Sequence, residues 1–209
     1  MNEHASILRT GRKFDQVLKG AREVFLADGF EGASVDDIAR AAGVSKATLY
    51  SYFPDKRLLF MEVARSECAR QADAPMELAT CSSSPRQILS AAAGHILSAS
   101  LSDFGMRMFR ICVAEADRFP DLGRQFYESG PMLIRGKIRD YLRSADAKGE
   151  LQIADFDLAA DQFAELCRAD LVPRFLFNID ASFSEEERNR IVEGAVETFL
   201  ARYEAAPPK

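Results

Sequence analysis

Residues 34–54, SVDDIARAAGVSKATLYSYFP, decide the fold of this chain. The stretch opens with Ser34, whose hydroxyl can cap a helix, and Asp37 follows three residues later, as the acidic partner of a cap does. Acidic side chains in a first turn favour the positive end of a helix. Apolar residues then recur at helical spacing until Gly43, a residue type that commonly ends a helix. We therefore predict a short helix that ends in a tight glycine turn.

A second short helix is predicted directly after this turn. Ser45 can cap its N-terminus, Leu49 and Phe53 stand four residues apart on one apolar side, and Pro54 ends it. Two short helices joined by a tight turn form the helix-turn-helix pattern, whose second helix lies in the major groove of DNA. The turn alone is a weak signal, because many helical proteins contain one.

The rest of the chain also has the periodicity of helices. Helical spacing of apolar residues covers residues 13–27, a fourth helix after Pro54, and residues 86–101, 104–117, 121–129, 132–147, 156–177 and 185–203. Pro173 predicts a kink or break within the 156–177 pattern, and Ser184 with Glu187 predicts a capping box that opens the last helix. Since no strand ladder or internal repeat is apparent, the predicted fold class is all-α.

The distribution of charge indicates where a polyanion could bind. The 209 residues carry a net charge of −5, but residues 1–66 hold ten Lys and Arg against nine Asp and Glu. Only this first third is expected to meet a polyanion, because the acidic remainder would repel one. The longest uncharged run, residues 87–102, is too short and too polar for a membrane span. The four cysteines lie far apart without metal or redox spacing, so we expect a cytoplasmic protein with no membrane contact, metal or cofactor.

The chemistry of the second short helix suits DNA. Its N-terminus can present backbone N–H groups to a phosphate, Lys46 can reach a phosphate or a guanine edge, and Thr48 can offer a hydroxyl and a methyl group to a base. Tyrosine hydroxyls can donate to phosphate oxygens. The same residue types are also common as helix caps, solvated lysines and half-buried tyrosines. The candidate DNA contacts are Ser34, Ser45, Lys46, Ala47, Thr48, Tyr50, Tyr52 and Lys56.

Residues 21–60, AREVFLADGFEGASVDDIARAAGVSKATLYSYFPDKRLLF, resemble the DNA-binding domain of the TetR family of bacterial transcriptional regulators. The residues that carry the resemblance are Phe25, Gly29, Ile38, Ala39, Gly43, Val44, Leu49, Tyr50, Phe53, Lys56 and Leu59. It implies a homodimer that binds a palindromic operator, usually as a repressor, and leaves it when a small molecule enters the C-terminal domain. It also places the eight candidate contacts at positions that touch DNA in the family. Ala47, Ser51 and Arg57 differ from the residues common there, so the operator sequence does not follow.

The resemblance divides the chain into a helix-turn-helix domain, residues 1–66, and a larger helical domain for effector binding and dimerisation, residues 67–209. Within the larger domain, residues 110–130 and 149–166 resemble a common regulatory subtype of the family. Apolar stripes on the last two long helices predict the dimer contact as a four-helix bundle between subunits. The alternative is that both stripes cover the monomer core. The stripes are Leu158, Ala159, Phe163, Leu166 and Cys167, and Ile191, Val192, Ala195, Val196, Phe199 and Leu200.

An effector cavity is expected among the middle helices, apolar with a few polar groups. Its candidate residues, each more common as core or surface, are His95, Phe104, Arg107, Met108, Phe126, Met132, Phe163 and Phe175. An enzyme is disfavoured, because the two histidines, His4 and His95, lie far apart and no nucleophile elbow, P-loop or dinucleotide fingerprint is present. The alternative function is a helical protein–protein adaptor without DNA binding.

Overall fold

A computed structural model describes residues 11–72 and 84–205, so His4 and Cys81 lie outside the described residues. The helices are α1 (Arg12–Gly32), α2 (Val35–Ala42), α3 (Lys46–Tyr52), α4 (Lys56–Ala72), α5 (Pro85–Ser100), α6 (Asp103–Glu115), α7 (Pro120–Ser129), α8 (Pro131–Ala147), α9 (Phe156–Leu166), α10 (Leu171–Leu176) and α11 (Glu185–Tyr203). In these two ranges the only β-type pairing is one isolated bridge, between Leu151 and Glu204. The all-α prediction is confirmed, and no helix of the described ranges is long and apolar enough to cross a membrane.

The predicted helix starts are confirmed by their caps. The Ser34 hydroxyl accepts the backbone N–H of Asp37 at 3.1 Å, and the Ser45 hydroxyl accepts that of Thr48 at 3.1 Å. Ser184 opens α11 with both bonds of a capping box. These contacts satisfy N–H groups that the first turn of a helix leaves without a helical partner.

Two helix boundaries differ from the sequence prediction. Gly29, beyond the predicted end of the helix over residues 13–27, has a φ of +73°, but α1 resumes after it and ends at Gly32. The predicted 156–177 helix breaks before Pro173, between α9 and α10, and Asp170 has a φ of +59° there. A proline ring clashes with the carbonyl four residues earlier, so the backbone leaves the helix ahead of Pro173 rather than at it.

The described chain forms two compact units. The first contains the described residues up to Ala69 together with Arg107–Ser129, and the second contains Arg70–Met106 and the residues from Gly130 onwards. The segment 107–129, which the sequence analysis assigned to the regulatory domain, therefore packs within the first unit. The assignment of residues 1–66 to DNA binding and 67–209 to regulation stays a prediction.

Aromatic rings fill the core of the first unit. Phe14 on α1 stacks with Phe53 at a centroid distance of 5.5 Å. Phe25 and Phe30 meet the edge of the Phe60 ring of α4 at 5.0 and 5.2 Å. Large buried rings contribute much apolar area, so these contacts hold α1 against α4 and against the end of α3.

Gly20 allows α1 and α2 to touch backbone to backbone. A Cβ atom at Gly20 would lie 2.5 Å from the backbone nitrogen of Ala42 and 2.7 Å from its Cα. No side chain fits at such distances, so the buried glycine sets how closely the helix-turn-helix packs on α1. This role was not predicted from the sequence, although a glycine inside a helical pattern is a signal of close packing.

Side chains from α5, α8, α9 and α11 form the core of the second unit. Phe163 of α9 and Phe199 of α11 meet edge to face with centroids 5.1 Å apart. The Tyr203 hydroxyl donates to Oε1 of Gln162 at 2.7 Å, so the end of α11 lies beside the middle of α9.

Most of the predicted dimer stripes are used inside this core. The buried members are Ala159, Phe163, Cys167, Ala195, Val196, Phe199 and Leu200. Leu166, Ile191 and Val192 are half-buried, and Leu158 is 51% exposed. The stripes therefore mainly cover the monomer core, and only their outer edge remains for a partner. Burial also raises the pKa of the Cys167 thiol to about 12.

Candidate nucleic-acid interface

The two sides of α3 have opposite character. Leu49 and the following Phe53 are 1% and 0% exposed and pack into the first unit. The outward side carries small and polar residues, namely Ser45, Lys46, Ala47, Tyr50 and Ser51. A short helix with one buried edge and an exposed polar face is what a major groove accepts.

The N-terminus of α3 joins two hydroxyls. The Ser45 and Thr48 hydroxyl oxygens lie 2.9 Å apart, in addition to the cap bond from the Thr48 backbone. Thr48 is half-buried while Ser45 is exposed. These contacts fix both side chains at the positive end of the helix, where a phosphate is favoured.

Lys46 forms an ion pair with Asp36 of α2, and both side chains are more than half exposed. The carboxylate holds the ammonium group at the junction of the two helices. An exposed ion pair contributes little to stability, so a phosphate can replace the aspartate at small cost.

Ser34 belongs to a second polar cluster at the start of α2. Its hydroxyl donates to Oδ2 of Asp37 at 2.5 Å, and Arg40 donates to Oδ1 at 2.7 Å. The bond from Ser34, followed by that from Arg40, lowers the pKa of the Asp37 carboxyl. In this conformation the Ser34 proton is already used, so a bond to a phosphate requires the hydroxyl to rotate.

The two tyrosines have different environments. Tyr50 is 49% exposed. Tyr52 is half-buried, and its ring meets the edge of Phe14 at a centroid distance of 5.8 Å. Tyr52 thus anchors the end of α3 to α1, while Tyr50 stands on the outward face.

Lys56 is engaged inside the first unit. Its ammonium donates to the carbonyl oxygens of Phe30 at 2.8 Å, Ala33 at 3.1 Å and Glu31 at 3.5 Å, and lies 4.6 Å from the Phe30 ring centroid. An ammonium group has three N–H donors, so these bonds occupy it fully. Contact with a phosphate would require it to exchange at least one carbonyl. This role at the end of α1 could not be read from the sequence, because its partners lie 23 to 26 residues away.

The candidate effector residues lie in both units. Arg107, Met108 and Phe126 belong to the first unit, and His95, Phe104, Met132, Phe163 and Phe175 to the second. Met108 and Phe163 are fully buried, whereas Met132 is 45% exposed. Arg107 donates to the carbonyl of Leu26 at 2.8 Å, a bond within the first unit.

A cleft of about 380 Å³ lies in the first unit, between the start of α4 and α7. It is lined by Asp55, Arg57, Leu58, Met61, Arg118, Phe119, Pro120, Asp121, Leu122 and Gln125. None of the eight candidate effector residues lines it. The Arg57 guanidinium lies over the Phe119 ring and also donates to Asp55, and the Asp55 pKa is lowered chiefly by that bond.

A capped, outward-facing helix after a tight glycine turn, packed on a three-helix core, defines a helix-turn-helix DNA-binding protein. A family model for the tetR family of bacterial regulatory proteins matches residues 17–63. The model of the C-terminal domain of AefR-like transcriptional repressors matches residues 87–205, more than half of the chain. The protein belongs to the TetR family of transcriptional regulators.

Individual relatives agree with this membership. The repressor AcnR of Corynebacterium efficiens is 39% identical over 62 residues, which are 30% of this chain and 33% of that protein. The chain thus spans about a third of the length of the curated relatives it matches. Among solved structures, the flavonoid-responsive regulator FrrA is 35% identical with a TM-score of 0.79, covering 93% of this chain and 98% of that one. A protein described as a TetR-family regulator from Mesorhizobium loti has 28% identity and a TM-score of 0.86, at the same coverage.

Proposed function

We propose that this protein is a transcriptional repressor that binds a palindromic operator as a homodimer, in the cytoplasm, and is released by a small-molecule effector. The observation that carries the proposal is the exposed polar face of α3 on a rigid helix-turn-helix. AcnR, which is 39% identical over 62 residues, is named a repressor. The proposal describes a regulator rather than an enzyme.

The proposed DNA contacts centre on α3. Lys46 and Tyr50 would reach the phosphates or base edges, and Ala47 would let the backbone approach the groove. Ser45 and Thr48 would present the helix N-terminus to a phosphate. Tyr52 and Lys56 would act chiefly by fixing the ends of α3 and α1. Ser34 would add a phosphate contact from α2 after its hydroxyl rotates.

A homodimer compensates for the modest charge of this surface. TetR-family regulators dimerise and bind operators, and a two-fold axis places two recognition helices roughly 34–36 Å apart in successive major grooves. The proposed contact is between the last two long helices of each copy, α9 with its extension α10, and α11. Leu158 is exposed and Leu166, Ile191 and Val192 are half-buried, so these apolar side chains of the helices stay partly accessible to a partner.

The effector is proposed to act by population shift. The effector would bind more tightly to a conformer whose recognition helices are wrongly spaced for DNA than to the DNA-binding conformer. The ratio of its affinities for these two conformers limits how far it can lower operator affinity. FrrA, the 35% identical structure, is named for its response to flavonoids. Flavonoids are therefore the first effectors to test. Release of a bound operator by flavonoids, with no release by a long-chain fatty acid at equal concentration, is the expected result by fluorescence anisotropy.

The DNA contact is tested by substituting Lys46 and Tyr50 together with alanine. Each good base contact contributes about 1–3 kcal/mol, so the double variant is expected to bind operator DNA at least about 30-fold more weakly. The operator is selected from random duplexes or taken from the region upstream of the protein's own gene. The matched control replaces Lys148 and Tyr127, two exposed residues that do not belong to α3. Unchanged affinity in the K46A/Y50A protein, with native circular dichroism, would show that α3 is not the recognition helix. Absence of salt-sensitive, sequence-selective binding in the wild type would favour the adaptor.

A further inference from the structure

The cations of the first unit differ in whether the chain already supplies their acceptor. Within residues 11–67, most Lys and Arg side chains pair with a carboxylate or donate to backbone carbonyls, namely Arg22, Arg40, Lys46, Lys56, Arg57 and Arg65. In that range the exceptions are Arg12, Lys13 and Lys19 of α1, which are exposed and whose side chains form no ion pair or hydrogen bond with the described residues. These three cations can bind an anion without displacing an acceptor of their own chain.

The start of α1 also has a local excess of positive charge. Residues 11–22 hold four Lys and Arg and one acidic residue, Asp15. Asp15 is exposed, and in the described part of the chain it forms no ion pair with Arg12 or Lys13. A local basic surface attracts phosphates even when the whole protein carries a net charge of −5, because charges beyond a Debye length are largely screened.

Aromatic contacts hold the start of α1 beside the end of α3. Phe14, which directly follows Arg12 and Lys13, stacks with Phe53 at a centroid distance of 5.5 Å and meets the Tyr52 ring at 5.8 Å. Phe14 and Phe53 are 5% and 0% exposed, so this contact belongs to the core. Arg12 and Lys13 therefore stand next to the C-terminal end of α3, whereas Lys19 is about 7.5 Å further along the helix axis than Phe14.

We propose that Arg12 and Lys13 are further DNA contacts, each of which binds a backbone phosphate beside the groove that α3 enters. The inference rests on the proposed function, and it adds the start of α1 to a surface so far confined to α2, α3 and the start of α4. The major groove is bordered by both phosphate backbones, so a helix inside it brings its neighbouring segments close to phosphates. Phosphate contacts fix the register of a protein on the duplex but carry no base sequence.

The two cations of α1 differ from the lysines around α3 in what a phosphate contact costs. Lys46 must leave Asp36, and Lys56 must leave a carbonyl oxygen. Arg12 and Lys13 exchange only water for the phosphate. A guanidinium can in addition donate two parallel N–H groups to one phosphate. Arg12 and Lys13 therefore supply a large share of the salt-dependent affinity.

The test compares the salt dependence of DNA binding by the wild type and by R12A/K13A. If each cation neutralises one phosphate, a dimer of the variant loses four contacts, and the magnitude of the slope of log affinity against log salt falls by about 3 to 4. At 0.1 M salt the variant should bind at least about 10-fold more weakly. The fold-loss should be equal on an operator duplex selected by the wild type and on an unrelated duplex of the same length, because phosphates carry no base sequence.

Two matched variants separate a local contact from an effect of net charge. R86A/K148A removes two exposed cations of the second unit and changes the net charge by the same amount, so it should keep the wild-type slope. R12K/K13R keeps both charges at the start of α1 and should also keep the slope. Circular dichroism verifies that each variant is folded. The single variants R12A and K13A should each lower the magnitude of the slope by about 2, one contact for each subunit, and they replace the double variant if it does not fold.

The outcomes separate this inference from the proposed function. A wild type without salt-sensitive, sequence-selective DNA binding overturns the proposed function and the inference with it. A wild type that binds its operator, with an unchanged slope in R12A/K13A, leaves the function standing and overturns the role of the two cations. An equal fall of the slope in R86A/K148A would assign the effect to net charge and also overturn that role. A loss confined to the operator duplex would contradict a contact with phosphates.

Discussion

At the scale of single residues, two side chains that a sequence presents as DNA contacts are already occupied. Lys46 is paired with Asp36, and Lys56 is bound to carbonyl oxygens at the end of α1. The two lysines differ, because the ion pair of Lys46 is exposed and can exchange, whereas Lys56 satisfies carbonyl oxygens at the end of α1. Of the two lysines, Lys46 is therefore the one whose removal should be read as a loss of DNA contact.

Gly20 gives a residue-scale prediction. Substitution by alanine places a Cβ atom 2.5 Å from the Ala42 backbone, so α2 must shift, and overpacking of this kind costs about 1–3 kcal/mol. We expect G20A to unfold at lower temperature and to bind operator more weakly. The control is G94A in α5, where a Cβ atom meets nothing within 4 Å and helix propensity favours alanine by about 1 kcal/mol. A G20A protein as stable as G94A would contradict the close packing of α1 on α2.

At the scale of secondary-structure elements, the sequence predicts the features that depend on neighbouring residues, such as helix caps. Caps at Ser34, Ser45 and Ser184 involve residues three positions apart, so their spacing alone locates the helix starts. The partners of Lys46 and Lys56 depend on how helices pack, which no local pattern contains. For the same reason the sequence could not show that the apolar stripes of the last two long helices mainly cover the monomer core. An apolar helix face has the same residue pattern whether it packs on its own chain or on a partner.

The cap of α11 gives an element-scale prediction. Glu187 accepts the backbone N–H of Ser184 at 2.9 Å, and this bond, followed by that from the Ser184 hydroxyl, lowers the pKa of the Glu187 carboxyl below its usual 4.5. A group with a lowered folded-state pKa stabilises the fold above its unfolded pKa, and this contribution is lost as pH falls through the folded value. We expect the stability difference between wild type and E187Q to shrink from pH 7 to below pH 4. Urea denaturation followed by circular dichroism measures it, and a difference independent of pH would contradict this account.

At the scale of the whole molecule, the proposed regulator would bind a polyanion although its own net charge is −5. In this proposal, directed contacts from two copies of α3 replace bulk positive charge, and the acidic residues lie mainly in the C-terminal two-thirds of the sequence. Family membership follows from both matching regions, residues 17–63 and 87–205. The effector and the operator bases depend on a few side chains that vary within one fold.

Salt dependence gives a whole-molecule prediction. If each subunit neutralises about three phosphates, a dimer neutralises about six and releases the counterions bound to them. The slope of the logarithm of affinity against the logarithm of salt concentration is then about −5. Fluorescence anisotropy with one operator duplex at several salt concentrations measures this slope. The K46A variant should lower its magnitude by about 2, one contact for each subunit. A slope near zero would mean that phosphate contacts do not support binding.

The ion pair between Lys46 and Asp36 has a consequence for how the regulator searches a chromosome. If Lys46 contacts DNA as proposed, every phosphate must displace Asp36, and even a small cost of exchange lowers the gain from a random phosphate. We therefore expect shorter dwell times on unrelated sequence, while a matched operator would add base contacts that offset the exchange. Removing the carboxylate with D36N should strengthen binding to all sequences and lengthen the dwell time on unrelated ones. The acidic neighbour would then lower affinity and speed the search for the operator.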